Sequence, residues 1–349
     1  QGRASQHLPD GWQTNTLWNW LHNNLDSGAL RGAQAQWDRI TVPMFTVGNW
    51  TGFGLHLRGN TEAFMRAASR HKRLRIHTGS HVHPYYTEEG KRDQLRFFDH
   101  WLKGIDNGMM EEAPVRLFVM GTNEWRDEHE WPLARTRYTP CYFHSRGKAN
   151  SLHGDGTLSF EPPTEEPADQ YRYDPADPVP TSGGNTLIIP VGVKDQREVE
   201  ARHDVLVYTS DPLEKPLEVT GPLKVVLYAS SSAPDTDFTA KLVDVRPDGY
   251  AQNIADGIVR TRYRESAMTP KMLTKGEVVE LTIDLWATSH VFLPGHRLRV
   301  EVSSSNFPRF DRNLNTGGDQ ATGTRWEVAE QTVFHGQQFR SHILLPVIP

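Results

Sequence analysis

A short loop that contains a histidine, Thr78-Gly79-Ser80-His81, is the stretch whose residue types and spacing first suggest chemistry. Histidine changes its charge near neutral pH and is the side chain most often used as a general base. The loop follows directly after Arg73 to His77, a segment whose pattern indicates a short β-strand. A histidine delivered at the end of a strand can take a proton from a nucleophile and return it to a leaving group. We therefore take His81 as the candidate general base.

The elements on either side of this loop predict a strand–loop–helix–strand–loop unit. Val42 to Val47 is a short apolar run with a proline at its second residue, which is typical of the start of a strand. A polar, glycine-rich loop follows from Gly48 to Gly52, and Thr61 to Ser69 has apolar residues at helical spacing. Such a unit places two parallel strands side by side, with both loops at the carboxyl edge of the sheet. Open α/β sheets hold their chemistry at that edge.

Length and composition limit the class of protein. With 349 residues the chain favours two domains, and its formal net charge of −5 gives no electrostatic reason to expect nucleic acid or an anionic membrane as partner. The single cysteine, Cys141, excludes an internal disulfide and favours a reducing, cytoplasmic location. No apolar run approaches the roughly 20 residues of a membrane span. The first residue is Gln1 rather than methionine, so we expect a processed or truncated chain.

Helical patterns flank the central unit. Residues 1 to 40 are rich in tryptophan, and Leu17, Trp20, Leu21 and Leu25 fall on one helical face. A second helix is predicted from Thr87 to Lys103, ended by Gly104. Its apolar side chains are Leu95, Phe97, Phe98, Trp101 and Leu102. We expect this helix to pack on a sheet, with its apolar residues in the core rather than in a binding site.

From about Glu111 to Pro349 the pattern changes to short period-2 runs separated by proline, glycine and acidic residues. Apolar residues alternate with polar ones around Phe238 to Leu242, Val279 to Leu285 and Leu298 to Val302. Many short strands with turns between them indicate a β-sandwich. The segment Glu161 to Gly184, which is rich in proline and acid, is expected to be an extended surface loop.

Several long stretches resemble the Xaa-Pro dipeptidyl-peptidase and cocaine-esterase-like serine hydrolases, a family that includes the α-amino acid ester hydrolases. These stretches are Arg116 to Pro132, Ser230 to Gly249, Gly257 to Ser266 and Leu293 to Gly317. The chain is similar to the C-terminal half of that family. The resemblance implies an α/β plus all-β fold: cap-like helices in residues 1–40, the last two strands of an α/β-hydrolase domain in 41–110, and a jelly-roll β-sandwich in 111–349.

The resemblance also implies roles for residues. In the family the catalytic triad runs in the order Ser, Asp, His, and His81 lies at the position of the histidine. Thr51 stands where the aspartate is expected, and a threonine cannot hold an imidazolium by charge. Other local carboxylates that could serve are Glu62, Glu88 and Glu89. The nucleophile motif G-x-S-x-G is absent from the chain, so the nucleophile is expected upstream of Gln1.

Several other polar groups could have either a structural or a functional role. His77, His81 and His83 could hold a metal ion, although the spacing of the third histidine suits extended chain poorly. His56, near the same edge, is expected to make a structural hydrogen bond. Asp235 and Asp237 could bind calcium but more often cap turns. The remaining candidates are the alternating Arg260, Arg262 and Arg264, expected to form a salt-bridged or solvated strand face, and Ser303, Ser304 and Ser305, which have no base beside them. We expect neither a cofactor nor a metal.

Two classes of function remain open from the sequence. The first is the C-terminal portion of a serine hydrolase, a serine esterase or peptidase that cleaves a small-molecule ester or amide through an acyl-enzyme; dipeptidyl-peptidase-like cleavage is one form of this. Under this first hypothesis the 349-residue chain would be incomplete and inactive without a missing N-terminal segment or a partner chain. The alternative is a non-catalytic jelly-roll module for binding or assembly, for example in a homo-oligomer.

Overall fold

Two β-sheets, one small and one large, organise the computed structural model, which describes residues 35–52, 56–79, 83–186 and 190–349. His81 and the tryptophan-rich residues 1–34, with the apolar face of Leu17 to Leu25, lie outside the described residues. The protein is mostly β, with few helices in the described ranges, as expected for a chain dominated by a β-sandwich.

The small sheet contains the strand–helix–strand unit. Its elements are β1 (Met44–Asn49), α1 (His56–Arg66), β2 (Lys72–His77), α2 (His83–Tyr86), α3 (Glu88–Lys103), β3 (Val115–Val119) and β4 (Glu124–Glu128). The strand order is β1-β2-β3-β4, with β1, β2 and β3 parallel and β4 antiparallel to β3. The predicted unit is thus confirmed, with bounds shifted by a few residues. Because β3 pairs with β2, strand pairing also crosses residue 110; the domain boundary there stays a prediction.

Helix α3 confirms the predicted helix but not its predicted packing. The Thr87 side chain accepts a hydrogen bond from the Gly90 backbone N–H at the start, and Gly104 ends the helix in the left-handed conformation, with φ of 68°. Phe97 lies against Phe45 and Trp101 against His71. The stripe of Leu95, Phe98 and Leu102 is instead 62%, 52% and 77% exposed, so the expectation that all the apolar residues lie in the core is wrong. The physical reason is that α3 meets the small sheet along one side only.

The large sheet has 11 strands in the described part of the chain. They are β5 (Arg137–His144), β6 (Thr157–Ser159), β7 (Asp169–Tyr173), β8 (Leu206–Thr209), β9 (Leu217–Ser231), β10 (Asp237–Val245), β11 (Ala251–Arg260), β12 (Val279–Phe292), β13 (Arg297–Ser303), β14 (Ala329–Phe334) and β15 (His342–Ile348), with the short helix α4 (Arg197–Glu200) before β8. The strand order is β11-β10-β13-β8-β6-β5-β15-β9-β14-β7, and β12 also pairs with β9. Nearly all pairs are antiparallel, which is consistent with a β-sandwich C-terminal domain.

Two expectations about this region need correction. The segment Glu161 to Gly184 is not simply a surface loop, because it contains β7, which pairs with β14 and buries Asp169 and Tyr173 completely. The three alternating arginines do not share a strand. Strand β11 ends at Arg260 and a 3₁₀ turn, Thr261–Tyr263, follows it. The turn places the Arg262 backbone N–H and guanidinium on the buried Asp235.

The two sheets meet near the end of β3. Met120 forms a short parallel bridge with β12: its N–H donates to Ser289 O over 3.0 Å, and its carbonyl accepts from Val291 N over 2.8 Å. Gly121 follows with φ of 88°, and a Cβ there would lie 2.1 Å from Val291 O, so the close approach of the strands requires glycine. Trp50, after β1, is buried at the same junction and donates to Phe118 O.

Candidate functional site

Asn49, the last residue of β1, organises the carboxyl edge of the small sheet. Its Oδ1 accepts hydrogen bonds from the backbone N–H groups of Thr51 (2.9 Å) and Gly52 (2.5 Å), which folds the following loop into a tight turn. Its Nδ2 donates to Gly79 O over 3.0 Å. One buried amide therefore joins the loop after β1 to the loop after β2.

The same amide determines the tautomer of His77. Because Oδ1 of Asn49 faces two N–H donors, Nδ2 must face Gly79 O and the Nδ1 atom of His77, which lies 3.1 Å away. An amide nitrogen only donates, so Nδ1 of His77 accepts and the ring proton is on Nε2. The carbonyl of Thr78, 3.2 Å from the same nitrogen, cannot then receive a hydrogen from it.

The two loops also touch directly. A Cβ on Gly52 would lie 2.5 Å from Gly79 O, so the approach of the loops requires glycine at residue 52. The hydroxyl groups of Thr51 and Thr78 are 2.9 Å apart. His81 comes two residues after Gly79 and lies outside the described residues, so its role as base stays a prediction.

The carboxylates considered as the third triad member are engaged elsewhere. Glu62 pairs with Arg66 at 3.3 Å along α1, and Glu88 pairs with Lys91 at 2.8 Å along α3. Glu89 contacts Arg75 at 2.8 Å and Arg116 at 3.3 Å. Thr51 itself is buried and bonded to Thr78. The contacts of the described residues thus place a hydroxyl, and no carboxylate, on this pair of loops.

Metal binding finds no support among the described residues. No group of three or more histidine, cysteine or acidic side chains there could hold an ion. The combination of His77, His81 and His83 stays untested, since His81 lies outside those residues. His56 is the first residue of α1 and is exposed.

Asp235 and Asp237 serve the structure of the large sheet. Arg262 Nε donates to Asp235 over 2.8 Å, and Arg260 Nε donates to Asp237 over 2.9 Å. Asn313 Nδ2 lies 2.8 Å from a carboxylate oxygen of each. Guanidinium and amide groups therefore occupy the oxygens that calcium would need. The arginines form salt bridges, which was one of the two outcomes, salt-bridged or solvated, that we expected from their pattern.

The serines at the end of β13 are also structural. Ser303 Oγ lies 2.6 Å from Thr239 Oγ1, Ser304 Oγ lies 2.8 Å from Tyr171 OH, and Ser305 Oγ accepts from Val179 N over 2.8 Å. All three serines are buried. Their oxygen atoms complete the hydrogen bonding of neighbouring strands, and no described imidazole contacts them.

A second Ser–His–carboxylate arrangement was missed from the sequence. Ser145 Oγ lies 3.0 Å from His335 Nε2, and His335 Nδ1 lies 3.2 Å from Glu166 Oε2. This is the atom order of a catalytic triad. Ser145 and His335 are 190 residues apart and neither stands in a recognisable local motif, so the chain gave no signal that they meet.

The surroundings of Ser145 argue against catalysis there. Its Oγ lies 2.8 Å from both oxygens of Asp169 and accepts from Gly147 N over 2.9 Å. Asp169 and His335 are fully buried. Burial opposes ionisation of Asp169, yet hydrogen bonds from His335 and Ala149 N hold the pKa of its carboxyl below the usual value. Ser145 is thus a saturated hydrogen-bonding centre of the core.

Cys141 is not a nucleophile either. It is buried, and burial raises the pKa of its thiol to about 12, so the reactive thiolate is scarce at neutral pH.

Across the described ranges no helix is both long and apolar enough to cross a bilayer.

Comparison with protein families decides the membership. Residues 107–344 match the model of the X-Pro dipeptidyl-peptidase C-terminal non-catalytic domain. The chain belongs to this family. The match begins before β3 and ends within β15, so it covers β3 and β4 of the small sheet and nearly all of the large sheet, and it confirms the resemblance that the sequence motifs indicated.

Individual relatives agree with this membership. The chain is 50% identical over 268 residues to cocaine esterase from Rhodococcus sp. (strain MB1 Bresler), an alignment that covers 76% of this chain and 47% of the relative. Its fold is similar to an aminopeptidase from the marine sediment archaeon Thaumarchaeota archaeon, with a TM-score of 0.77, 28% identity, and coverage of 88% and 55% of the two chains. An α-amino acid ester hydrolase gives a TM-score of 0.76, 28% identity, and coverage of 88% and 56%.

The chain thus spans about half the length of the relatives it matches, and it corresponds to their C-terminal part. These relatives are named as esterases, peptidases and other hydrolases, which supports membership of a hydrolase family. The matched domain itself is described as non-catalytic.

Proposed function

We propose that this chain is the C-terminal portion of a serine hydrolase that cleaves an ester or amide through an acyl-enzyme. The observation that carries the proposal is the pair of loops joined by Asn49 and Gly79. They lie at the carboxyl ends of two adjacent parallel strands, and His81 follows two residues later. This is the edge at which open α/β sheets place their catalytic groups.

In this proposal His81 is the general base. A serine upstream of Gln1 attacks the carbonyl carbon of the substrate, and His81 takes the proton of its hydroxyl and later returns it to the leaving group. Thr51, at the position of the family's aspartate, is bonded to Thr78 and cannot supply charge to an imidazolium. Either a carboxylate from elsewhere orients His81, or the base works without one.

The rest of an α/β-hydrolase domain would come from a preceding segment or from a partner chain. Two features support this. Strand β1 is the outer strand of its sheet in the described chain, so one edge is open for pairing. The exposed stripe of Leu95, Phe98 and Leu102 on α3 is apolar surface of the kind that a further layer covers. The cap-like role of residues 1–40 and the jelly-roll form of residues 111–349 belong to the same proposal.

The alternative is a non-catalytic binding or assembly module. One observation favours it: an open groove of about 780 Å³ on the large sheet, lined by Phe334, Phe339, Glu165 and Gln337. Aromatic rings beside amide and carboxylate groups are common in ligand sites. Because this groove is formed by residues of the large sheet and its loops, it would function without a catalytic domain.

Activity-based labelling separates the two proposals. We expect the 349-residue chain alone to show neither labelling by a fluorophosphonate nor enzyme-like turnover of p-nitrophenyl esters, because it lacks the nucleophile and its oxyanion donors. A longer protein that includes the preceding segment should be labelled at an upstream serine, and His81→Ala in that protein should abolish turnover.

The matched control is His153→Ala, which changes an exposed histidine on the large-sheet side of the chain and should leave turnover unchanged. Turnover by the 349-residue chain that is lost on Ser145→Ala would show that the active site has been misplaced. An unlabelled longer protein would instead favour the binding module.

A further inference from the structure

A cavity of about 490 Å³ lies where the large sheet meets the loop after β2. Its walls include Thr78, Met120, Asn123, Arg246, Leu293 and His296. The cavity is therefore assembled from the end of β2, the junction after β3 and the loops of the large sheet. Among its lining residues, only Thr78 belongs to the loops that Asn49 joins. The hydroxyl of Thr78 contacts the hydroxyl of Thr51.

A buried carboxylate holds two imidazoles at this cavity. Asp244 Oδ2 lies 2.9 Å from His290 Nε2, and Asp244 Oδ1 lies 2.8 Å from His296 Nδ1. Asp244 and His290 are buried, whereas His296 is partly exposed. Each oxygen of Asp244 is thus in contact with one imidazole ring. His296 is thereby held in one orientation, with its Nε2 atom on the side away from Asp244.

Arg246 contributes a positive charge that the protein does not neutralise. Its guanidinium donates to Gln252 Oε1 over 2.5 Å and lies 4.8 Å from the centre of the Tyr250 ring. No ion pair joins it to a carboxylate within the part of the chain that the structure describes. Arg260 and Arg309, by contrast, are paired with Asp237 and Asp256. A guanidinium with open donors suits a planar, bidentate acceptor.

The remaining wall has an apolar part beside the polar side chains of Thr78, Asn123 and Gln252. Met120, Leu293 and Val193 line it, and no acidic residue other than Asp244 does. A cavity with an apolar patch beside a guanidinium suits a ligand that has an apolar body and one anionic end. We propose that it binds an organic carboxylate, with the carboxylate on Arg246 beside His296 and the apolar body against Met120 and Leu293.

The chemistry of the proposed function gives this ligand a source. Hydrolysis of an ester or amide releases a carboxylic acid, and Thr78 in the cavity wall comes three residues before His81. The cavity would then hold the acid product or the corresponding acyl part of the substrate. This assignment of the ligand as product rests on the proposed function, whereas the binding itself does not.

The experiment is a titration of the purified 349-residue chain with hexanoate, followed by NMR signals of isotope-labelled histidine and arginine side chains. We expect saturable shifts of His296 and Arg246. 1-Hexanol and hexylamine, which have the same apolar chain without the negative charge, should bind at least about tenfold more weakly, because a hydrogen bond to a charged group contributes on that order.

Three variants test the anchor and the apolar wall. Arg246→Gln should weaken hexanoate binding about tenfold. Arg172→Gln, which removes an exposed arginine on β7 and changes the net charge equally, should leave binding unchanged. Leu293→Asp, which puts a negative charge on the apolar wall, should abolish saturable binding while the histidine signals of the folded protein remain.

Absence of saturable shifts, equal binding of hexanol, or equal losses in the two arginine variants would overturn the proposal. Because the titration uses no substrate and no upstream segment, its failure leaves the hydrolase proposal standing. Conversely, a longer protein could bind hexanoate and yet show no fluorophosphonate labelling. That result would support the carboxylate site and contradict only the assignment of its ligand as a product of catalysis.

Discussion

The amide of Asn49 donates to the carbonyl of Gly79 over 3.0 Å, although the two residues are 30 positions apart in the chain. This contact joins the two loops at the carboxyl edge of the parallel strands β1 and β2. Asn49 is almost fully buried, and a second contact, between the hydroxyl groups of Thr51 and Thr78, also joins the two loops. We therefore expect the position of the loop that leads to His81 to depend mainly on the Asn49 amide, which makes three hydrogen bonds to the two loops, and less on the hydroxyl pair.

Replacing Asn49 tests this dependence. In Asn49→Ala the buried N–H groups of Thr51 and Gly52 lose their acceptor, and Gly79 O loses its donor, so we expect a loss of about 2–4 kcal/mol in the free energy of unfolding. Thr51→Val, which removes only one hydroxyl pair, should cost about 1 kcal/mol. Urea unfolding measures both. Equal stability of Asn49→Ala and the parent chain would show that the loops are held by something else.

Removing one partner of the buried pair of Asp169 and His335 should strongly destabilise the large sheet. His335→Ala removes the imidazole from a carboxylate that is fully buried, so we expect a loss of about 3–5 kcal/mol. The double variant Asp169→Asn/His335→Ala should lose less than the sum of the two single changes, because it leaves no buried carboxylate without its imidazole partner. Thermal unfolding of the four proteins measures the coupling. Strict additivity would contradict it, and the exposed His153→Ala serves as the neutral control.

Glu200 should make stability fall as the pH rises from about 4.5 to about 7. Burial, together with the negative charge of Glu301, raises the pKa of its carboxyl to about 7 from an ordinary value of 4.5, despite the opposing Arg299. The folded state therefore binds this proton more tightly than the unfolded state, and ionisation above pH 4.5 favours unfolding by up to about 3 kcal/mol.

Urea unfolding at several pH values measures this effect. Glu200→Gln should flatten the decline between pH 5 and pH 7, since the group can no longer ionise. Glu198→Gln, on the exposed side of the same short helix, should leave the decline unchanged. A parent chain whose stability rises steadily through this interval, with no difference in Glu200→Gln, would refute the raised pKa.

The exposed stripe on α3 should make the isolated chain associate. Leu95, Phe98 and Leu102 present a continuous apolar face, which proteins in water tend to cover. We expect concentration-dependent association in sedimentation experiments, and we expect Leu95→Glu/Phe98→Glu/Leu102→Glu to abolish it with little change in the free energy of unfolding. A triple substitution at other exposed positions of the same helix, Glu88→Gln/Lys91→Gln/Lys103→Gln, is the control. Loss of folding in the glutamate variant would show that the stripe is part of the core.

The sequence determined the features that depend on neighbours along the chain. Thr87 and Gly104 delimit α3 because a cap acts on backbone groups within one turn. The alternation around Phe238, Val279 and Leu298 identified β10, β12 and β13 because successive side chains of a strand point to opposite faces. The family motifs were likewise continuous stretches, and they predicted the membership that the comparison confirmed.

Only the tertiary structure decided which of these residues meet and which faces are covered. An apolar stripe predicts burial, but whether Leu95 and Phe98 are buried depends on what lies opposite α3, and periodicity contains no information about that. The joining of Asn49 to Gly79, of Ser145 to His335 and of Asp244 to both His290 and His296 depends on how strands far apart in the chain are paired. Each of these contacts is a single hydrogen bond, too local to leave a pattern in the sequence and made only once the sheets have formed.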